Sequence, residues 1–190
     1  MYYLTVYNEP RPQPAMPDHV TDVDVVRGIY RYKEGEKGQH DAHILSSGTI
    51  IYEALRAQEL LAEDWDVKAD VWSTPGWNRL LRDGTECESW NRMHPDAEEP
   101  RVPEITRALE DTDGPYIAVS DWMKATPVQV ADWIHGRFAV LGTDGYGRSD
   151  TREALRRLHK IDAECIAVTV LAELAGLGEI ARDVVAKATE

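Results

Sequence analysis

Two stretches of this chain have the residue types of chemical sites. Ser46-Ser47-Gly48-Thr49 is a small, hydroxyl-rich turn between an apolar run and a helical pattern. Backbone amides opening a helix can hold an anion. The turn lacks the glycine order of a dinucleotide fingerprint and the lysine of a phosphate-binding loop, so a plain helix cap is the competing reading. The second stretch, Gly142-Thr143-Asp144-Gly145-Tyr146-Gly147-Arg148-Ser149-Asp150, places three glycines around carboxylates, a tyrosine and an arginine. Its order, Gly-x-x-Gly-x-Gly, is again not that of a dinucleotide site. It reads as a tight loop ending in a cap at Asp150, or as a loop ordered against a partner subunit or neighbouring domain. In the second case Asp144, Tyr146, Arg148 and Asp150 make the contact. His19, His40, His43, His94, His135 and His159 are scattered. No two have the helical spacing of a zinc pair, and each reads as a surface or internally satisfied histidine. No Gly-x-Ser-x-Gly nucleophile turn occurs. The residues do not assemble a catalytic constellation by spacing alone.

The elements that must position these stretches follow from periodicity. Residues 1–8 read as a strand of aromatic and β-branched residues, entering a segment with prolines at 10, 12, 14 and 17 that remove backbone donors. Such a strand has no local partner, and residues 1–26 read as the last strand of something upstream plus a proline-rich linker arm, or as an arm laid over another subunit. Residues 28–33 alternate as a half-exposed strand, and 42–45 form a second one. The turn-rich stretch 34–39 between them predicts an antiparallel hairpin. Helical spacing of Ile50, Ala54, Ala57 and Leu61 predicts a helix after Ser46–Thr49. A strand over 67–73 follows, then a helix to about residue 90 capped by Thr74 with Pro75 in its first turn. A short helix over 104–110 and a strand over 116–120 come next. Thr126-Pro127-Val128-Gln129 predicts a capped helix to about residue 133. After a strand at 138–141, Asp150-Thr151-Arg152-Glu153 caps a helix through 158. Asp162 opens another, with Ile166, Val170, Leu174 and Leu177 as its buried stripe and Gly178 as its stop. A last helix covers about 180–187. This alternation predicts a three-layer α/β/α domain over 27–190, with a five-stranded, mostly parallel sheet containing one antiparallel strand.

Composition excludes several classes. Of the 190 residues, 21 are Lys or Arg and 34 are Asp or Glu, a net charge of −13 that repels phosphate backbones and anionic lipid. Nucleic acid and membrane are therefore not expected partners. No apolar run reaches the roughly 18 residues of a membrane span. The start lacks the basic flank and cleavage site of a signal peptide, which predicts a cytoplasmic location. Two cysteines, Cys87 and Cys165, read as reduced structural thiols rather than a disulfide framework or a metal site. Six tryptophans are many for this length, and their ring N–H groups point to sheet–helix or subunit contacts.

Longer stretches carry a resemblance. They are residues 2–9 (Tyr2-Tyr3-Leu4-Thr5-Val6-Tyr7-Asn8-Glu9), Pro14-Ala15-Met16-Pro17, Arg27-Gly28-Ile29-Tyr30, Ser47-Gly48-Thr49-Ile50 and Ala69-Asp70-Val71-Trp72-Ser73. Further along stand Arg82-Asp83-Gly84, Glu99-Pro100-Arg101-Val102-Pro103, Val119-Ser120-Asp121-Trp122-Met123-Lys124 and the run from Leu141 to Arg152. In these the chain resembles the C-terminal portion of the homodimeric, thiamine-diphosphate-dependent pyruvate dehydrogenase family. The resemblance implies a transketolase C-terminal-like domain, with residues 2–9 closing a missing middle domain. Thiamine diphosphate and its magnesium would then belong to the longer enzyme, with no cofactor or metal held by this chain alone. The implied partners are the upstream domains of the same enzyme, a second subunit, and the lipoyl acetyltransferase component of a multienzyme complex. Aligned on Asn8-Glu9 and Pro14–Pro17, Pro12 stands where a histidine near the substrate is common in the family. Proline cannot transfer a proton, which leaves Asn8, Glu9 and Gln13 as the nearest polar groups. The implied function is structural: dimer contact and support of the active-site mouth of an enzyme that oxidatively decarboxylates pyruvate, without turnover by this chain alone. A free-standing interaction module of the same fold is the second reading. A small independent enzyme using the Gly142–Asp150 loop is the third, and it predicts a deep pocket there.

Overall fold

The computed structural model describes residues 10–12 and 14–189. The expected strand over residues 1–8 lies outside them. Five strands form one sheet: β1 (Tyr30–Lys33), β2 (His40–Ser46), β3 (Val67–Ser73), β4 (Tyr116–Val119) and β5 (Phe138–Leu141). Among the described residues eight α-helices accompany them: α1 (Asp22–Arg27), α2 (Ile51–Asp64), α3 (Trp77–Met93), α4 (Glu104–Ala108), α5 (Ala125–Val128), α6 (Arg152–His159), α7 (Ala163–Leu177) and α8 (Arg182–Ala188). The strand order is β1-β3-β2-β4-β5, with β1 antiparallel to β3 and every other pair parallel.

Strand alternation divides the core in two. On one face Ala42, Ile44, Val67, Ala69, Val71, Ile117 and Val119 pack against α2 and α7. On the other, Leu45, Trp72, Tyr116 and Ala118 pack against α3, α4 and the turn carrying Val130 and Ile134. This is the expected three-layer architecture. In α2 the residues Ala54, Ala57, Gln58 and Leu61 are buried at helical spacing. Fully buried side chains such as Ile44, Leu61 and Ile166 each contribute about 1.5–3 kcal/mol of transfer free energy.

The predicted hairpin is corrected. β1 and β2 are not neighbours, because β3 lies between them. β2 is buried on both faces along most of its length and suits the centre of the sheet, whereas β1 is half-exposed and suits an edge. The glycine-rich stretch 34–39 therefore passes across β3 instead of turning back on β1. Gly35 donates its N–H to Asp70 Oδ1 (2.8 Å), and Gln39 donates to the Asp66 carbonyl (2.8 Å). At Gly38 the backbone has φ +145°, and a Cβ would stand 2.1 Å from the Lys68 nitrogen. Only glycine fits that crossing.

Helix boundaries were corrected where tertiary contacts took over the capping groups. Thr74 does not cap α3. It is fully buried, its N–H donates to the Ser46 carbonyl (2.7 Å), and α3 starts after Gly76 and runs to Met93. Thr126 lies inside α5 rather than at its cap, because the turn already closes with Thr126 N–H donating to the Met123 carbonyl. The remaining segment to Trp133 is a separate single turn of 3₁₀ helix. Thr151, not Asp150, caps α6, accepting from the Ala154 N–H (3.3 Å). Asp162 caps α7 and Gly178 ends it in the left-handed region, as expected. Leu177 faces outward at 45% exposure, so the buried stripe of α7 stops at Leu174. Just after the proline-rich segment, residues 22–27 form the helix α1, which the sequence reading did not predict, closed by Gly28 at φ +99°.

Candidate functional site at the carboxyl edge of the sheet

In an open α/β sheet the ligand crevice lies beyond the carboxyl ends of the strands, where successive connections leave in opposite directions. Here that point is between β2 and β4, because β3 lies on one side of β2 and β4 on the other. The polar residues at these ends are buried: Ser46, Ser47, Thr49, Thr74 and Ser120. Thr49 Oγ1 donates to Asp121 Oδ2 across the gap at 3.2 Å. Ser46 Oγ donates to the Trp72 carbonyl at 3.1 Å. The hydroxyls of Ser47 and Thr74 find no partner among the described residues. Ser47 precedes a single 3₁₀ turn, Gly48–Ile50, and does not cap it with its side chain. The Thr49–Asp121 hydrogen bond thus bridges the two sides of the crevice.

The loop after β4 is joined in turn to the loop after β5. Thr143 donates its N–H to the Trp122 carbonyl (2.9 Å) and its hydroxyl to the Asp121 carbonyl (2.7 Å). Asp144 Oδ1 accepts the Lys124 N–H (3.0 Å), and the Lys124 ammonium stands 3.7 Å from the same carboxylate. Gly142 makes this approach possible, since a Cβ there would lie 2.6 Å from the Trp122 oxygen and 3.0 Å from the Lys124 nitrogen. Gly142→Ala is expected to part the two loops at a cost of about 1–3 kcal/mol, the range for overpacking. Hydrogen exchange at the Thr143 and Lys124 amides checks this: both should exchange faster than in the parent while the β2 amides stay protected. Unchanged exchange at both would contradict it.

Of the four loop residues marked by sequence, Asp144 is tied to Lys124, and Asp150 accepts the Thr151 N–H (2.7 Å). Tyr146 is 96% exposed and Arg148 is exposed. Gly145 and Gly147 have nothing within 4 Å of a built Cβ. The tip of the loop therefore projects outward instead of lining a deep pocket, which counts against the small-independent-enzyme reading. The loop after β4, which is joined to this one, exposes Trp122 (61%) and Met123 (57%). Met123, Asp121 and Lys124 gained no functional reading from spacing, whereas Trp122 was read only among the six tryptophans and Thr143 only as part of the glycine-rich loop. Their position directly after a parallel strand is the signal that marks them.

Asn8, Glu9 and Gln13 lie outside the described residues. Their neighbour Pro12 is described, and its carbonyl accepts a hydrogen bond from the Tyr52 hydroxyl. Tyr52 stands in the first turn of α2, one helical turn from Thr49, so the arm runs along this same edge. Next to Tyr52, Glu53 lines a polar cleft of about 490 Å³ with Glu153, Arg156, Arg157, Asp162 and Glu164. Arg156 is buried and donates from Nη1 to Glu53 Oε1 (2.6 Å), while Glu53 Oε2 accepts the Ala163 N–H at the start of α7 (3.1 Å).

The remaining candidates are structural. His43 is buried between Trp72 and Tyr116. Its Nε2–H donates to the Asp113 carbonyl (2.9 Å), and its Nδ1 accepts the Trp72 indole N–H (3.3 Å). Burial lowers its pKa from the ordinary value, against the pull of the Asp113 carbonyl and the Asp70 carboxylate. Cys87 and Cys165 are free thiols. Burial raises both, Cys165 to about 11 with the Asp162 carboxylate adding to the effect, so neither is a thiolate near neutrality. Among the described residues no group of three or more metal-type side chains converges, and no helix is long and apolar enough to cross a membrane.

Comparison with known proteins places this geometry. Residues 28–162 match the family model of the transketolase-like TK C-terminal domain. The pyruvate dehydrogenase E1 component of Mycolicibacterium smegmatis is 50% identical over 190 residues, covering 100% of this chain and 20% of that protein. Its counterpart from Mycobacterium tuberculosis is 51% identical over 180 residues (94% and 19%), and that of Escherichia coli K12 is 43% identical over 190 (98% and 21%). The chain spans about a fifth of the length of these relatives. A transketolase from Pichia stipitis superposes with a TM-score of 0.53 at 19% identity, over 80% of this chain and 19% of that one. A split-gene transketolase, described as an inactive beta4 tetramer, gives 0.51 at 15% identity, over 78% and 43%. The five-stranded mixed sheet, its antiparallel edge and these matches agree: the chain belongs to the transketolase-like TK C-terminal domain family and corresponds to the C-terminal part of pyruvate dehydrogenase E1 components.

Proposed function

We propose that this chain is the supporting C-terminal domain of an enzyme that oxidatively decarboxylates pyruvate and passes the acetyl unit to lipoyl groups. The observation that carries the reading is the 50% identity to such a component across all 190 residues. The geometry is consistent with support rather than turnover. The switch-point crevice is bridged by the Thr49–Asp121 hydrogen bond, and the arm that leads to Asn8 and Glu9 is held at Tyr52 on that edge. Thiamine diphosphate would supply the carbanion-stabilising chemistry. Among the described residues no group of metal-type side chains converges that would hold its magnesium ion. Both therefore fall to the upstream domains in this reading, as does the first proton transfer to substrate. Those domains, a second subunit in a homodimer and the lipoyl acetyltransferase component are the proposed partners, in the cytoplasm. Asn8, Glu9 and Gln13 are proposed to lie near the substrate, and Asp144, Tyr146, Arg148 and Asp150 to order against a neighbouring domain or subunit.

A chimera tests the reading. When this chain replaces the C-terminal fifth of the Mycolicibacterium smegmatis relative, pyruvate decarboxylation is expected within about an order of magnitude of the parent's kcat/KM. The isolated chain should show none. Activity of the isolated chain, or a folded chimera without activity, overturns the reading. The latter would favour the free-standing interaction module, to which Pro12 already lends weight because its carbonyl is committed to Tyr52 and its ring can transfer no proton.

A further inference from the structure

Monomeric surfaces seldom cluster large apolar side chains without a partner. Trp122 (61% exposed) and Met123 (57%) stand on the loop after β4, and Tyr146 (96%) on the loop after β5. The two loops are fastened together through Thr143 and Asp144, so the loop that carries Trp122 and Met123 is anchored to its neighbour. Lys124 and Asp144, each about half exposed, pair beside them, and Arg148 and Asp150 are exposed further along. An aromatic centre with a charged rim is the anatomy of a protein interface.

The occupant follows from where the chain leads. Thr49 contacts Asp121, the residue before Trp122. Tyr52, one helical turn beyond Thr49, holds the carbonyl of Pro12. Followed backward from Pro12, the polypeptide thus leaves from the edge that displays Trp122 and Met123. Four-fifths of the length of the relatives lies outside this chain. We infer that the Trp122–Met123 patch, with the Tyr146 loop tied to it, is the seat of the upstream portion of the same enzyme, which covers it when the domains are joined. The inference rests on the functional reading above and adds to it a specific docking surface and its occupant.

Oxidative footprinting of the isolated chain and of the chimera tests it. Methionine and indole oxidation follow solvent access, so Met123 and Trp122 should be modified at least about fivefold more slowly in the chimera than in the isolated chain. Equal modification of both residues in the two proteins overturns the docking, even if the chimera decarboxylates pyruvate. Protection of both in an inactive chimera upholds the docking and removes the functional reading instead. Each failure is therefore read separately.

Discussion

Replacing Arg156 by alanine should cost about 3–5 kcal/mol of folding stability, the range for breaking a buried ion pair. Arg156 is 8% exposed and binds Glu53 at 2.6 Å, joining α6 to the first turn of α2. Glu53 also accepts the Ala163 N–H at the start of α7, so one carboxylate ties three helices. Truncating the arginine leaves that carboxylate without its countercharge in a site already rich in acid, beside Glu153, Asp162 and Glu164. Desolvation, not lost attraction, dominates the loss. The same argument predicts a partial rescue. Arg156 Nε and Nη2 have no partner among the described residues, so the native pair is itself imperfectly satisfied. Arg156→Met combined with Glu53→Gln keeps an acceptor for Ala163 and removes the stranded charge. The double variant should therefore unfold at higher urea concentration than Arg156→Ala alone. A double variant less stable than the single one would refute the account.

His43→Leu should cost about 1–3 kcal/mol, because it strands the Trp72 indole N–H in the core and removes the hydrogen bond to the carbonyl of the exposed Asp113. The pH dependence follows with a definite sign. Burial depresses the folded-state pKa of His43 below its ordinary 6.5. The geometry gives the reason: protonating Nδ1 would set one N–H against the Trp72 N–H. Below pH 6.5 the unfolded chain takes up a proton that the folded chain refuses. The contribution of His43 is thus complete above that value and is lost as pH falls through the folded-state pKa, at up to about 1.4 kcal/mol per pH unit. Urea unfolding of the parent and of His43→Leu between about pH 5 and pH 7.5 isolates this group. The stability gap between them should narrow toward the acid end. A constant gap would show that His43 titrates alike in both states.

Much of the architecture was legible before any coordinates. Val67–Ser73 and Phe138–Leu141 are strands with the expected ends, and Asp162 and Gly178 bound α7 as read. These signals are local: apolar runs, a capping carboxylate and a left-handed glycine act within a few residues of chain. The Gly142–Asp150 loop also stood out by composition. Its neighbours Trp122 and Met123 did not, since an exposed aromatic and a buried one are written with the same letter.

What this sequence determined by itself is the order and type of its elements from residue 28 onward, because hydrophobic period and capping chemistry are properties of short segments. The family resemblance was legible too, because ordered matches run along nearly the whole chain. Tertiary structure decided the rest. It set β3 between β1 and β2, since burial on both faces selects the centre of a sheet and only the assembled layers define that burial. It also took Thr74 away from its helix and brought Thr49, Asp121 and Thr143 together from three separate loops. Contacts between residues 72 and 22 positions apart depend on how the layers stack, and no short stretch of sequence encodes that.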